Sequence, residues 1–548
     1  MFGASVPPAE EYLERVLSRS AATELVRSIA AVRDVVSYYI DACVARIVAR
    51  APRVVGFTTT FHQTCASLAV ARRLKELREP PIVVFGGANC EGEMGLQMME
   101  SFPWIDHVCC GEADHTFPRL LDGLLAGAPP SLAGVVSRGE ARALQPSAAV
   151  FDLDALPFPD YDEYFRELDA STESRGAAVH VVVETSRGCW WGAKHHCTFC
   201  GLNGDTMAFR SKSPERAYEE ITTLARRHGL RKVGCVDNIL DMHYVDTLFP
   251  MLAESGLELD MFYEVKANLR YEQLAKMHRG GLRQIQPGIE SFSNQVLKLM
   301  DKGVSGLQNI QLMRWCDELG IECAWNLLAG FPSEPASEYE RMAELIPLLA
   351  HLDPPMSCAR LRLDRFSPFH ARAEEYGFRR IRPSHAYFYV FPLGRREMSR
   401  LAYFFDFDYD DDRRPEDYVE PVQRAVQAWW QARVAGDDRP RLDARFVEDR
   451  VVVRDTRSVA TAEHHELEGI CAKVYELCDT ARTYEGLLRR PELAGRERAV
   501  RSALGELVDR RLTTVDEGRY LSLAVFRNRA APARPDGGRA SLEAAAAA

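Results

Sequence analysis

No stretch of the 548 residues runs uncharged and apolar for the ~18 positions a helix needs to cross a bilayer, so no membrane span is expected. Basic charge is not in surplus either. The chain has 68 Lys and Arg against 79 Asp and Glu, a formal net charge of −11, which argues against a general nucleic-acid binder. The opening residues Met1-Phe-Gly-Ala-Ser-Val-Pro-Pro8 lack both a basic segment and an apolar core, so no secretory signal is expected. The 14 cysteines lack the even spacing of a disulfide framework and fit a reducing cytoplasm, where thiols stay free to bind metal.

What is present is a large, ordinary globular composition around one unusual loop. With 46% hydrophobic and 27% charged residues the chain is long enough for two to four domains, each with its own core. The loop reads Glu184-Thr-Ser-Arg-Gly-Cys189-Trp-Trp-Gly-Ala-Lys-His-His-Cys197-Thr-Phe-Cys200, a C-x7-C-x2-C spacing that follows the valine run Val179 to Val183. Three thiolates from one loop can hold three irons of a [4Fe–4S] cluster and leave the fourth iron for a ligand that carries chemistry. A zinc knuckle is the competing reading. Its closed tetrahedron would need His195 or His196 as fourth ligand inside the same short loop.

At these residues the chain resembles the radical S-adenosylmethionine (SAM) enzymes, and within them the cobalamin-binding branch found among maturases of ribosomally made peptides (RiPPs, bacteriocins among them). The usual spacing there is C-x3-C-x2-C, and the longer first gap resembles a variant loop of that peptide-maturing type. The resemblance implies Cys189, Cys197 and Cys200 as cluster ligands and Phe199 as the ring packed on the cofactor adenine. It also implies SAM and cobalamin as further cofactors, and an external electron donor such as a flavodoxin or ferredoxin.

The pattern divides the chain into an α/β series of regions. Residues 1–150 alternate apolar runs with helical stretches and predict a doubly wound parallel sheet, a Rossmann-like domain with ligands at the strand ends. Those ends carry Thr58, Phe61 and Gln63, then Gly86-Gly87-Ala88-Asn89, then Gly111 and Glu112. Glycines there admit a large flat ligand, and the resemblance identifies that ligand as cobalamin. The Asp-x-His-x-x-Gly motif that supplies a histidine to cobalt is missing, so a lower axial position holding water or nothing is expected. His62 reads as a solvated loop histidine.

A proline-punctuated linker spans 151–178. Strand and helix alternate again over 179–400, where strands at 179–184, 232–236, 259–265, 284–287, 322–328 and 357–363 predict a partial (β/α)6 barrel, its site at the carboxyl strand ends. After the second strand, Asp237 and Asn238 offer acceptors for the methionyl ammonium of SAM. After the third, Glu264 and Lys266 share a face, with Lys266 either meeting the methionyl carboxylate or pairing with Glu264. The fourth ends Gln286-Pro-Gly-Ile-Glu290-Ser, similar to the family pattern whose carboxylate reaches the cofactor hydroxyls. No side-chain base is named, because methyl transfer to a carbon radical needs none.

The acidic stretch within 401–440, Phe405 to Asp412, reads as a solvated connector lying against the barrel. Residues 441–527 read as a strand pair, three helices and a hairpin around Asp516-Glu-Gly518, a winged-helix-like domain. It resembles the leader-peptide recognition domains of RiPP enzymes, with a structural role as the alternative. Residues 528–548 read as a disordered tail ending in a cloning scar. The expected activity is radical modification of a ribosomal precursor peptide, C-methylation of an unactivated carbon foremost. Hydroxylation, crosslinking or rearrangement is the runner-up, and an iron–sulfur binding or electron-transfer protein the reading from another class.

Overall fold

A computed structural model describes residues 9–15, 17, 23–139, 147–172, 178–204, 206–434, 436 and 439–528. The expectations for residues 1–8 and for the tail beyond Asn528 lie outside these residues. Two compact units emerge. The first combines Met1–Leu156, Thr198–Met207 and Arg362–Asp412; the second combines Pro157–Cys197, Ala208–Leu361 and Arg413–Ala548. Among the described residues no helix is long and apolar enough to cross a membrane.

In the first unit, strands Val54–Thr58, Ile82–Gly86 and His107–Cys109 pair in parallel, and Val135–Ser137 closes the edge antiparallel. Period-two alternation serves both faces. Val83 and Phe85 pack with Leu68 and Met98, from the helices Thr64–Lys75 and Gly92–Ser101. Ile82 and Val84 meet Leu120 and Leu124 of the helix Thr116–Leu125 on the other face.

Helices therefore cover both faces, but the strands run in sequential order without reversal. This corrects the doubly wound expectation, since alternation of strand and helix dictates parallel pairing and leaves strand order open. The same unit holds a three-stranded antiparallel sheet with Phe404–Tyr409 between Leu363–Asp364 and Phe378–Pro383. The acidic stretch is thus a central strand and not a connector: Phe405, Phe407 and Tyr409 are buried while the aspartates between them face outward. A solvated reading followed its charge; its two-residue period prevailed.

In the second unit, Val181–Val183, Lys232–Cys235, Asp260–Val265, Leu282–Pro287 and Glu322–Cys323 form a parallel sheet in chain order. A bridge from Glu290 to Leu327 carries it on to Asn326–Ala329, which pairs in parallel with Ser357–Arg360. With Glu322–Cys323 and Asn326–Ala329 counted as one interrupted strand, the result is an open run of six parallel strands whose buried positions, such as Met261, Tyr263 and Val265, alternate with partly exposed ones. Leu363, expected in the last of these strands, belongs instead to the first unit.

The remainder of the second unit is the helix Glu416–Arg433, a four-stranded sheet and a helical module. The module runs through helix Gly469–Leu477, strand Arg482–Thr483, helices Tyr484–Leu488 and Glu497–Asp509, and the hairpin Thr513–Asp516/Arg519–Ser522, the element order of a winged helix. Glu517 at φ 46° and Gly518 at φ 72° supply the two left-handed residues of its turn. The module shares one apolar core with the barrel. Arg314, buried on helix Gly306–Leu319, donates to Ser522 O and Asp479 O, and pairs with Asp479 Oδ1 at 2.6 Å. Arg527 bridges Asp443 and Asp317 at 2.6 and 2.7 Å.

Candidate cofactor site at the strand ends

The cysteine loop leaves the first barrel strand through a clasp, Ser186–Arg187 paired antiparallel with Arg210–Ser211. Asp237, from the end of the second strand, holds its base. Asp237 Oδ1 accepts from Thr185 N at 2.7 Å, and Oδ2 from Thr185 Oγ1 at 2.5 Å and Ser186 Oγ at 2.7 Å. Its side chain is fully buried, and burial pushes its carboxyl up to about 6 against the pull of those bonds. Both oxygens are therefore engaged in fixing the loop's origin, and Asn238 beside it is half-buried.

The long first gap of the motif is structured. Ala193 N donates to Cys189 O at 2.8 Å and His195 N to Trp191 O at 2.9 Å, a helical turn that ends with His196 at φ 57°. Trp191 anchors it. Its indole N–H donates to Asp301 O at 2.9 Å, its ring stacks on His195 at 4.1 Å, and the Lys266 ammonium lies 3.4 Å from the ring centroid. Gly303, at φ 62°, permits the approach, since a Cβ there would run into the same ring. Trp190 donates to Leu240 O at 3.0 Å.

Cys189, Cys197 and Cys200 are partly exposed, and none is in a disulfide. Gly192 N donates to Cys189 Sγ at 3.3 Å, and burial raises the Cys197 thiol while the Lys302 and Lys266 ammonium charges oppose the rise. Partly exposed cysteines outside any disulfide, with an amide donor at Cys189 and cations near Cys197, suit the ligands of a cluster.

Around the third and fourth strand ends the polar groups converge. Lys266 does not pair with Glu264; its ammonium donates to Lys302 O, and burial with the Lys302 charge pushes it down to about 8. Lys302 Nζ lies 3.5 Å from Glu290 Oε1 and over Gly288, where a Cβ would collide with it. Burial followed by the Glu290 charge raises Glu264 to about 7, and burial raises Glu290 itself. Glu290 holds φ 55°, a costly conformation for a side chain with a Cβ. Gln286 stands opposite Glu264 in the ladder. Two ammoniums and two carboxylates therefore surround these ends, a set able to meet a zwitterion and a diol. Trp191, Lys302 and Gly303 were missed in the sequence; the double tryptophan inside a metal motif was the one available signal.

Phe199 is half-buried and lies in the Thr198–Met207 segment of the first unit. Of the strand-end residues in that unit, Gly87 at φ 94° has no alternative, because a Cβ would stand 2.6 Å from Thr59 O. Gly111, at φ 77°, faces Ser147 in the same manner, and Gly86 lies in ordinary contact with Cys109. Thr58 and Ala88 are exposed, as is His62. Three polar side chains are engaged locally: Gln63 accepts from Thr60, Asn89 donates to Thr64 Oγ1 at 2.5 Å, and Glu112 accepts from Val150 N at 2.7 Å. Phe61 stacks on Phe404 at 4.9 Å beside a cavity of about 300 Å³ whose walls include Asn89, Tyr387 and Phe391. Aromatic walls with a few polar groups suit a flat, largely apolar group.

Residues 183–346 match the Radical SAM superfamily, so this part of the chain is a radical SAM domain, which brings a [4Fe–4S] cluster and SAM. An uncharacterized methyltransferase of Pyrococcus horikoshii is 28% identical over 298 residues, covering 53% of this chain and 62% of that protein. The cobalamin-dependent radical SAM methyltransferase TokK of Streptomyces tokunonensis is 27% identical over 287 residues, 50% of this chain and 41% of that one. The chain thus spans less than two thirds of the length of either relative. The structure of the cobalamin-dependent S-adenosylmethionine radical enzyme OxsB, with aqua-cobalamin and S-adenosylmethionine bound, has a similar fold. Its TM-score is 0.56 at 14% identity, over 86% of this chain and 64% of that one.

Proposed function

We propose that the chain is a cobalamin-dependent radical SAM enzyme that methylates an unactivated carbon. The observation that carries the reading is the cysteine loop itself, fixed by Asp237 at the first strand of a six-stranded parallel run and faced by Lys266 and Lys302. Cobalamin rests on the TokK and OxsB likenesses and on the aromatic cavity at the strand ends of the first unit. With its cofactors bound, such a site supplies reductive cleavage of SAM to a carbon-centred radical and a methyl group for transfer.

The chain's own residues bind and orient. Lys302 and Lys266 take the methionyl carboxylate, Glu290 the ribose hydroxyls, and Phe199 the adenine. With both Asp237 oxygens engaged, the Asn238 side-chain oxygen and Glu264 serve the ammonium. The substrate in this reading is a ribosomal precursor peptide. Its support is the winged-helix-like module and the edge strand His464–Leu467 of the four-stranded sheet, where an extended leader can add a strand. An external flavodoxin or ferredoxin supplies the electron, and the 14 cysteines, none of them in a disulfide, suit a reducing cytoplasm.

Anaerobic incubation of the reconstituted protein with cobalamin, reductant and SAM tests the enzyme class: 5′-deoxyadenosine forms if it holds and does not if the chain only carries electrons. A precursor peptide encoded beside this gene then gains about 14 Da per methyl for hydrogen; a gain of oxygen or a loss of two hydrogens points to hydroxylation or crosslinking instead.

A further inference from the structure

The helix Thr23–Ala49 is only half used by the fold. Toward its carboxyl end Ile40, Cys43, Val44 and Ile47 pack on Val70 and Leu74 of the helix Thr64–Lys75. The same face continues toward the amino end as Leu25, Ile29, Val32, Val36 and Tyr39, and there the described residues leave it bare, with Leu25 at 52%, Val32 at 54% and Tyr39 at 65% exposure. The spacing is four, three, four, three, the 3.5-residue repeat of a coiled-coil seam.

Charge identifies the occupant. The helix holds three acids, Glu24, Asp34 and Asp41, and three bases, Arg27, Arg33 and Arg46, so it lacks the basic surplus by which an amphipathic helix seeks an anionic bilayer. Arg33, the charge nearest the stripe, is paired with Glu10 at 2.5 Å. With Val35 beside it, the stripe exposes on the order of 600 Å² of apolar side chain, the non-polar share of an interface of roughly 800–1,000 Å² per partner. We propose that this stripe is a self-association surface on which the same helix of a second copy packs across a two-fold axis.

The full-length, cofactor-loaded chain tests this by sedimentation velocity over the micromolar range. The unaltered chain should sediment as a dimer. Val32→Asp with Val36→Asp should raise the dissociation constant at least tenfold, with unchanged far-ultraviolet circular dichroism and iron content. Val32→Leu with Val36→Leu, which fills the seam, should lower it severalfold. A monomer throughout, or a dimer indifferent to both pairs, overturns the proposal. So does co-pelleting of the helix-dependent kind with phosphatidylglycerol vesicles in place of dimerisation.

Discussion

Trp191→Ala removes the anchor of the cysteine loop, and its cost can be worked out contact by contact. The indole N–H bond to Asp301 O is worth about 1 kcal/mol. The Lys266 ammonium over the ring, a largely desolvated cation, adds about 1–2 kcal/mol. Stacking on His195 adds about 0.5–1 kcal/mol. A total near 3 kcal/mol is about a 150-fold shift toward loop opening, at 1.4 kcal/mol per tenfold. The opening is local, so the melting temperature of the whole chain should change little. Amide exchange across 189–197 should accelerate by about that factor, and reconstituted protein should lose iron on gel filtration. Trp191→Phe keeps the stacking and part of the cation contact and should lie between. Unchanged exchange and iron retention in Trp191→Ala would refute the anchoring role, as would an equal collapse of every region of the chain.

Three further outcomes are expected. Arg314→Met strands the mostly buried Asp479 carboxylate and should destabilise the second unit by about 3–5 kcal/mol in urea titration, whereas Arg314→Met with Asp479→Asn should regain most of it. Asp237 is harder to ionise in the fold, about 6 against an ordinary 3.8, so its contribution is whole below about pH 4 and lost as pH rises through 6. That difference amounts to about 3 kcal/mol, and Asp237→Asn should flatten the stability profile over this interval relative to the unaltered chain. On the proposed role of Lys302 at the SAM carboxylate, Lys302→Met should weaken SAM binding by roughly 10- to 100-fold by calorimetry, with cluster content retained.

The barrel was legible because short runs with buried residues at every second position, as Met261, Tyr263 and Val265, alternate with helical stretches and polar turns. Each of the six expected runs contains an observed strand, with 324–325 interrupting the fifth and the residues beyond Arg360 leaving the sixth. The three helices and hairpin after residue 468 were equally readable, since Asp516-Glu-Gly518 marks its own turn. Strand order in the first sheet was not, because order depends on long-range packing of faces that look alike in sequence. Nor was the return of Arg362–Asp412 to the first unit. The Phe-Asp-Phe-Asp-Tyr alternation did announce a strand, and its charge obscured that signal.

The polar set at the strand ends shows why candidate residues emerged one at a time while their relations did not. Glu264 lies at the end of a recognisable strand and Lys266 and Glu290 follow one, so position alone marks them. Lys302 follows a helix, and its significance lies in distance: its carbonyl receives Lys266 from 36 positions away, and its ammonium reaches Glu290 12 positions back. Gly288 admits the Lys302 ammonium and Gly303 the Trp191 ring, and neither glycine has a local turn signature that says so. The same holds for Asp237, which sequence position assigns to a ligand and geometry assigns to Thr185 and Ser186, 52 and 51 residues earlier. A carboxylate that fixes the exit of the first strand acts on the cluster loop through the backbone. Its removal should therefore disturb the cysteines before it disturbs SAM affinity, a sequence of losses that iron content and calorimetry on Asp237→Asn can order.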